Sequence, residues 1–448
     1  MRSRTFSLVV PVVLAALSCA PPWNVPDYDA IFVEDHVVEW EIRTSREDWL
    51  LLIVDPASMP CRGDGLGPEC GDDGQCPQDC RCKAGLCVTH YVEADVVVDG
   101  EFYPSVGVRI TGGRKRAKKN LRIRFNKFVP GQRFHGVKRI NLRACSGDPS
   151  LVREALALRL MRRAGIAAPR SSLVWMTING GAGGLYTLVQ QVDKKFLESC
   201  FGEDWGNLYK LERGGNLVYE GDDPADYDPP FEVRYELKAG DAGPDDLIRL
   251  MRVLATVRDE RIEQELERIL DVDAWLRWLA VNSWLANMDS YPGTVDNLYL
   301  YRDSRGRFQP IPWDLNTAFG NYHGPTCSYS TDEMCRLDPL RPECGPGRPL
   351  VERVLQVEPL RVRYMHWLAE LVEGPLRPDD VLEEMEGLRH LIERYALRDS
   401  LKEFSNDDFA DSFVHDVPEG DNPVRVPGLE PFIRERDRVM RQTCGLLR

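Results

Sequence analysis

The chain has 448 residues, of which 29% are charged and 43% belong to the hydrophobic set, close to globular averages. That composition excludes wholesale disorder and fibrous architectures, and the length is enough for one large domain or two coupled ones. Seventy-one acidic and 57 basic side chains leave a formal charge of −14, which argues against a general nucleic-acid binder while allowing local reversals of sign.

The first residues read as an export signal. Arg2 and Arg4 precede an apolar run over 7–17, too short to span a bilayer as a folded segment. The run ends in Ala16-Leu17-Ser18-Cys19, a pattern resembling a bacterial lipobox. Residues 1–18 are then a signal peptide, Cys19 is the lipidated anchor to a membrane, and 19–36 is a linker. The plainer alternative is an ordinary signal peptide that happens to end near Cys19. No later segment carries the roughly 18 uncharged apolar residues of a membrane span.

Cysteine usage agrees with an oxidising compartment. Thirteen cysteines less Cys19 leave an even number, sufficient for six disulfides. Six of them fall between Cys61 and Cys87, inside an insert over 58–88 that is too poor in apolar residues to build a core, so cross-links are expected to staple it. A zinc knuckle is the rival reading, but the paired CxxC units it needs are absent from the sequence.

In chain order, the pattern predicts a strand over 37–42, a short helix over 45–52, and strands over 91–98 and 105–110 around the turn Asp99-Gly100. Another strand follows over 121–125. Between Phe102 and Gly147 there is no acidic residue and there are thirteen Lys or Arg, which marks a site for something anionic. Gly112 and Gly113 beside Arg114, Lys118 and Lys119 favour phosphate, because glycine lets backbone N–H groups approach an anion. The plainer reading is a strand edge guarded by cations, and the sequence contains no Walker P-loop.

A helix is expected to open with Asp148 as N-cap and Pro149 at its first position and to close at Gly165. Glu154 shares its apolar face with Leu151, Leu158 and Met161. A carboxylate there needs a partner, for which a cation of the basic stretch is available; otherwise it serves the helix dipole.

Strands over 172–178 and 185–189 come next, then a short helix over 193–199 and a strand over 207–211. The acidic stretch 220–228 lacks EF-hand spacing and reads as a solvated loop. Helices are predicted over 244–269 and 272–288, the second carrying Trp275, Trp278 and Trp284 as core residues. A hairpin follows, with strands over 297–301 and 307–313. Its spacing sets Asn297 and Asp314 opposite each other at the open end, with Asp289 just before it. Three such residues converging describe a hard-cation site facing a catalytic carboxylate, although each alone is also a common turn former. From residue 350 the chain is mostly helical, with a loop-like stretch over 405–428.

Several stretches together carry a family resemblance. They are Val106-Gly107-Val108-Arg109, Lys118-Lys119-Asn120-Leu121-Arg122-Ile123, Phe134-His135-Gly136-Val137-Lys138-Arg139-Ile140-Asn141-Leu142, Gly184-Leu185-Tyr186, Asn207-Leu208-Tyr209-Lys210, Asn297-Leu298-Tyr299-Leu300-Tyr301 and Ile311-Pro312-Trp313-Asp314. On these the chain resembles the CotH kinase family. The resemblance implies an α+β, atypical protein-kinase-like two-lobe fold, with a strand-rich N-lobe over about 37–212 and a helical C-lobe over about 240–448. It also implies transfer of phosphate from ATP to Ser or Thr of a protein acceptor with Mg²⁺ or Mn²⁺.

In the roles the family implies, Lys118 holds the phosphates and pairs with Glu154, with Lys119 as the adjacent candidate. Gly112, Gly113 and Arg114 cover the phosphates, and Gln190 and Val192 lie at the adenine hinge. Asn297 and Asp314 hold the metal, and Asp289 orients the acceptor hydroxyl. The chain departs from the family pattern at Asn316, where a second Asp is usual, at Thr111, where an Arg is common, and at Gln190, where a Glu is common. A non-catalytic surface module and an enzyme transferring AMP therefore stay open beside the kinase. Nucleic acid is not an expected partner, because few aromatics interleave the basic stretch.

Overall fold

The computed structural model describes residues 25–53, 80–83, 86–89, 91–112, 118–212, 214–324, 326–418 and 424–446. The export signal, Cys19, most of the Cys-rich insert, Gly113 and Arg114 lie outside the described residues.

Seven strands close into a barrel: those over 38–44, 92–98 and 120–124 alternate buried side chains with more exposed ones, while those over 139–143, 171–178 and 184–190 are buried along most of their length because the outer core covers their second face. After a single helical turn, α1 (Tyr28–Ile31), come β1 (Val38–Thr44) and α2 (Arg46–Ile53). A separate hairpin of β2 (Cys80–Lys83) and β3 (Leu86–Thr89) sets Cys82 opposite Cys87. The barrel continues with β4 (Val92–Val98), β5 (Glu101–Gly112), β6 (Asn120–Arg124), β7 (Arg139–Arg143), β8 (Ser171–Ile178) and β9 (Gly184–Gln190). Its order is β1-β4-β5-β6-β7-β9-β8, and β1 closes the ring by pairing parallel to β8. Trp40, Val96, Val108, Ile123, Ile140 and Leu188 fill the interior.

A second core forms outside the barrel. It takes in α3 (Arg153–Arg163), which lies against β8, and α4 (Lys194–Phe201), capped by Asp193. Beside them is an antiparallel sheet of β10 (Leu208–Leu211), β11 (Tyr235–Ala239), β12 (Leu298–Arg302) and β13 (Phe308–Pro312), in the order β11-β10-β12-β13. The helices are α5 (Phe231–Arg234), α6 (Asp245–Thr256), α7 (Asp259–Leu266), α8 (Val272–Trp284), α9 (Thr331–Cys335), α10 (Pro349–Gln356), α11 (Glu358–Glu373), α12 (Pro378–Arg398), α13 (Asn406–Asp411) and α14 (Leu429–Thr443). The short strands β14 (Val417–Pro418) and β15 (Arg425–Val426) pair with each other. Trp275, Trp278 and Trp284 of α8 are fully buried in this core, as expected for that helix. Among the described residues, no helix is long and apolar enough to cross a membrane.

The α+β composition with a strand-rich N-terminal part agrees with the sequence, and four details do not. The expected helix over 244–269 is two helices, because Val257 and Arg258 turn extended between them. The stretch over 405–428 is not all loop but carries α13 and the β14–β15 pair. Asp148 does not cap α3: Leu151 sits at φ 62°, so the helix begins only at Arg153, and Asp148 reaches forward to accept that residue's N–H at 2.8 Å. Finally, the six cysteines beyond the insert give one disulfide, Cys327–Cys344. Cys145, Cys200, Cys335 and Cys444 are free thiols on separate elements.

Candidate active site

The hairpin β12–β13 fixes the geometry at its open end. Leu298 pairs with Pro312, so Asn297 stands opposite Trp313, whose N–H donates to the Asn297 carbonyl at 3.2 Å. Asp314 is one residue further on. Asn297 and Asp314 both adopt left-handed backbone, φ 53° and 56°, a conformation that Asn and Asp tolerate best among residues with a Cβ. The amide Nδ2 of Asn297 donates to the Asp289 carbonyl at 2.9 Å. Thr294 Oγ1 donates to Asp289 Oδ1 at 3.2 Å and also contacts Asp296. Asp296 is thereby part of the same cluster, and the sequence reading passed it over. The Tyr322 phenol is pushed up by burial and further by the nearby Asp289 and Asp296 carboxylates.

The cation serving this end of the hairpin is Arg143, the last residue of β7. Its Nη2 forms an ion pair with Asp314 Oδ1, and its Nε lies 3.5 Å from Glu154 Oε2. Glu154 is buried on α3, and burial pushes its carboxyl up while Arg143 and the Leu315 N–H hold it down. A strand, a helix and the hairpin end therefore meet through one guanidinium, whose planar fork suits bridging two carboxylates.

Lys118 is not the partner of Glu154. Its Nζ lies 2.8 Å from Asp399 Oδ2 and donates to the Leu185 carbonyl at 2.8 Å, with both charged side chains out of water. Asp399, just past α12, also accepts the Leu185 N–H at 3.0 Å and the Leu401 N–H at 2.9 Å. Lys118 thus ties the root of the glycine-and-lysine segment to the barrel and to the end of α12. Its neighbour Lys119 meets Tyr186, whose hydroxyl bonds the Lys119 backbone.

Further along the barrel's outer face, Arg122 Nε donates to Asn141 Oδ1 at 2.9 Å, and Asn141 Nδ2 reaches the Val189 carbonyl at 3.3 Å. Burial brings the Arg122 guanidinium down to about 10, with the like charge of Arg109 adding to it. Tyr299 of β12 lies close enough to feel Arg122. A basic face of the barrel thus stands against the hairpin that carries Asn297.

Gln190 and Val192 do not present side chains to this face. Gln190 is bound on both sides by Arg170, donating its N–H to the Arg170 carbonyl at 2.9 Å and accepting the Arg170 N–H on Oε1 at 3.0 Å. Val192 is buried in the outer core. Asn316 is a tie rather than a ligand, its Nδ2 donating to the Ser146 carbonyl at 3.4 Å. Neither Arg143 nor Asp399 was singled out from the sequence.

The chain shares 30% identity over 200 residues with the inner spore coat protein H of Bacillus subtilis (strain 168), covering 44% of this chain and 54% of that protein. It thus spans about half the length of that curated relative. Among solved structures it is similar to a HipA, HipB and operator DNA complex of a toxin–antitoxin system from Shewanella oneidensis MR-1. That match has 12% identity and a TM-score of 0.27 over 90% of this chain and 71% of the other, too slight a likeness to bear on the fold. Residues 108–440 match the family described as CotH kinase protein, and the chain belongs to that family.

Proposed function

We propose that the protein is an exported phosphotransferase of kinase type, moving the terminal phosphoryl group of ATP to a Ser or Thr hydroxyl of a protein acceptor. The observation that carries this reading is Arg143 set between Glu154 of α3 and Asp314 at the hairpin end. That is the strand-cation, helix-carboxylate and metal-aspartate arrangement on which kinases depend, with an arginine in the lysine's place. In this reading the barrel is the N-lobe and the helices after residue 240 form the C-lobe.

The residues present fit a hard divalent cation. The donors at the hairpin end are oxygens: the Asp314 carboxylate and the Asn297 amide oxygen, left for a ligand because Nδ2 is bonded to the Asp289 carbonyl. Among the described residues no group of three or more His, Cys, Asp or Glu is placed to cage a metal. Such a sparse set suits Mg²⁺ or Mn²⁺, which take one or two protein oxygens and complete their shell from phosphate and water. A bound ion would supply charge neutralisation. Arg143 adds fixed positive charge beside the same phosphates, and the covering role of Gly112, Gly113 and Arg114 is the one the family resemblance implies. Asp289, fixed by the Thr294 hydroxyl, accepts the proton of the acceptor hydroxyl. Catalysis is then positioning and electrostatics, without a covalent intermediate on the protein. The lipobox-like Cys19 and the cysteine usage support an envelope lipoprotein.

One observation favours a second reading, a non-catalytic surface module: Asn316 offers no second carboxylate, and its amide is engaged by Ser146. Thermal denaturation of the full-length protein with ATP and Mg²⁺ or Mn²⁺, beside Asp314→Ala, separates the two. Ligand at about 100 times its Kd adds about 2.7 kcal/mol to the native state. A metal-dependent shift lost in the variant supports the enzyme, and no shift with either metal supports the module. The mass added to an acceptor then tells phosphate from AMP.

A further inference from the structure

We propose that a cavity behind the end of β9 is a binding site for a compact organic anion, separate from the active site. The cavity has a volume of about 370 Å³, within the range of small-ligand pockets of roughly 300–1,000 Å³. None of Arg143, Glu154, Asp289, Asn297 or Asp314 lines it. Its charged lining residues are Arg162 at the end of α3, Arg170 before β8 and Arg277 on α8, and no acid lines it.

Three guanidinium groups around one space repel one another, and they are incompletely answered. Arg170 meets Asp29 at 3.3 Å and Arg162 meets Glu34 at 3.7 Å, but both acids sit on the solvent-exposed segment before β1 rather than in the cavity wall. Arg277 lies over the Trp367 ring, 4.1 Å from its centroid, its Nη1 donates to the Gly165 carbonyl at 3.5 Å, and its buried Nε has no hydrogen-bond partner. Gln190 lies among these cations and adds a polar wall. It is 5% exposed and lines the cavity, its Oε1 is taken by the Arg170 N–H, and its side chain also bonds the Tyr28 hydroxyl. An oxyanion in the cavity would answer the charge of the arginines.

The rest of the wall defines the ligand's body. Phe201, Ile166 and Pro310 give an apolar surface next to the cations, so the site suits a phosphate or carboxylate on a small flat apolar group rather than a bare ion. The same cavity touches α3 at Arg162, about two turns from Glu154, and β13, which leads directly into Asp314.

Phenyl phosphate is the probe, titrated calorimetrically into full-length protein without nucleotide or metal at fixed ionic strength. The expected result is saturable binding, weakened about tenfold or more in Arg162→Gln and in Arg277→Gln and unchanged in Arg143→Gln. Benzoate in place of phenyl phosphate tests the carboxylate arm, and phenol should bind far more weakly than either. The free thiol of Cys200 lines the cavity, so phenyl phosphate should also slow its alkylation by iodoacetamide in the wild-type protein, read by peptide mass spectrometry. This second readout decides the matter if an arginine variant fails to fold. Absence of saturable binding by both aromatic anions, an unprotected Cys200, or binding lost in Arg143→Gln and kept in Arg162→Gln would overturn the proposal. Because no nucleotide is present, the outcome is independent of the kinase reading.

Discussion

Lys118 and Asp399 form an ion pair across 281 residues of sequence, with Nζ 2.8 Å from Oδ2 and both side chains excluded from water. Removing one partner of such a pair leaves the other charge buried, at a cost of about 3–5 kcal/mol. Lys118→Ala should therefore lower unfolding free energy by about that amount in urea melts, and an apolar double replacement with Asp399→Leu should recover much of it. A Lys118→Ala protein of wild-type stability that has lost nucleotide binding would return Lys118 to the phosphates.

Arg143 carries the contrasting expectation. Arg143→Gln removes the charge between Glu154 and Asp314 and should lower turnover about 10²–10³-fold, as for loss of one preorganised charge donor. Arg143→Lys should rescue it only in part, since an ammonium has no fork to bridge two carboxylates. Full activity in Arg143→Gln would remove the bridge from the mechanism.

Glu154 gives this site a signature in pH. Burial raises its folded-state carboxyl above the ordinary value of 4.5, so between the two values the folded protein holds more protons than the unfolded one. Its contribution is present in full below pH 4.5 and is lost as pH rises through the raised value. Urea melts from pH 4 to 7 should show that decline in the wild type and a flatter profile in Glu154→Gln.

Glu435 has the opposite sign. A hydrogen bond from Arg438, and then one from Arg336, hold its carboxyl down to about 2. The stability it provides is present above the ordinary 4.5 and drains away as pH falls toward 2. Glu435→Gln should melt lower than the wild type at pH 7, with the gap closing between pH 4.5 and 2.

The Cys327–Cys344 disulfide closes a loop of 17 residues, and a cross-link of that span contributes about 3 kcal/mol in the chain-entropy account. The Cys344 N–H donates to the Pro292 carbonyl at 2.9 Å, so the bridge also steadies the loop that follows Asp289. Cys327→Ser with Cys344→Ser should melt lower under oxidising conditions, and reductant should lower the wild type by at least that much and by more than it lowers the variant.

What could be read in the sequence was mostly local. The hairpin β12–β13 declared itself through alternating Tyr299 and Tyr301 and the turn from Asp303 to Gly306, and from that spacing alone Asn297 and Asp314 fell at one end. The apolar face of α3 likewise singled out Glu154. What the sequence hid was distant or unmarked. Asp399 has no local feature that announces a partner 281 residues earlier. Arg143 was one of thirteen cations between Phe102 and Gly147. The signal that distinguishes it is the alternation of Arg139, Asn141 and Arg143 against buried Ile140 and Leu142 on β7. The break between α6 and α7 lacks a proline or glycine to mark it, and Asp148 looked like a cap because nothing in the sequence foretells the left-handed Leu151.

The bond from Lys118 to Asp399 also orders events in time. A chain leaves the ribosome, or a secretion channel, from its N-terminus, and every strand of the barrel is complete by Gln190. The carboxylate that receives Lys118 is delivered only after α12, when most of the protein has already emerged. Contacts so far apart in sequence form slowly, and until this one closes the buried lysine has no counter-charge. Burial of Lys118 therefore waits on the tail of the molecule, and a truncated or stalled chain would hold a barrel in which this lysine is not yet fastened.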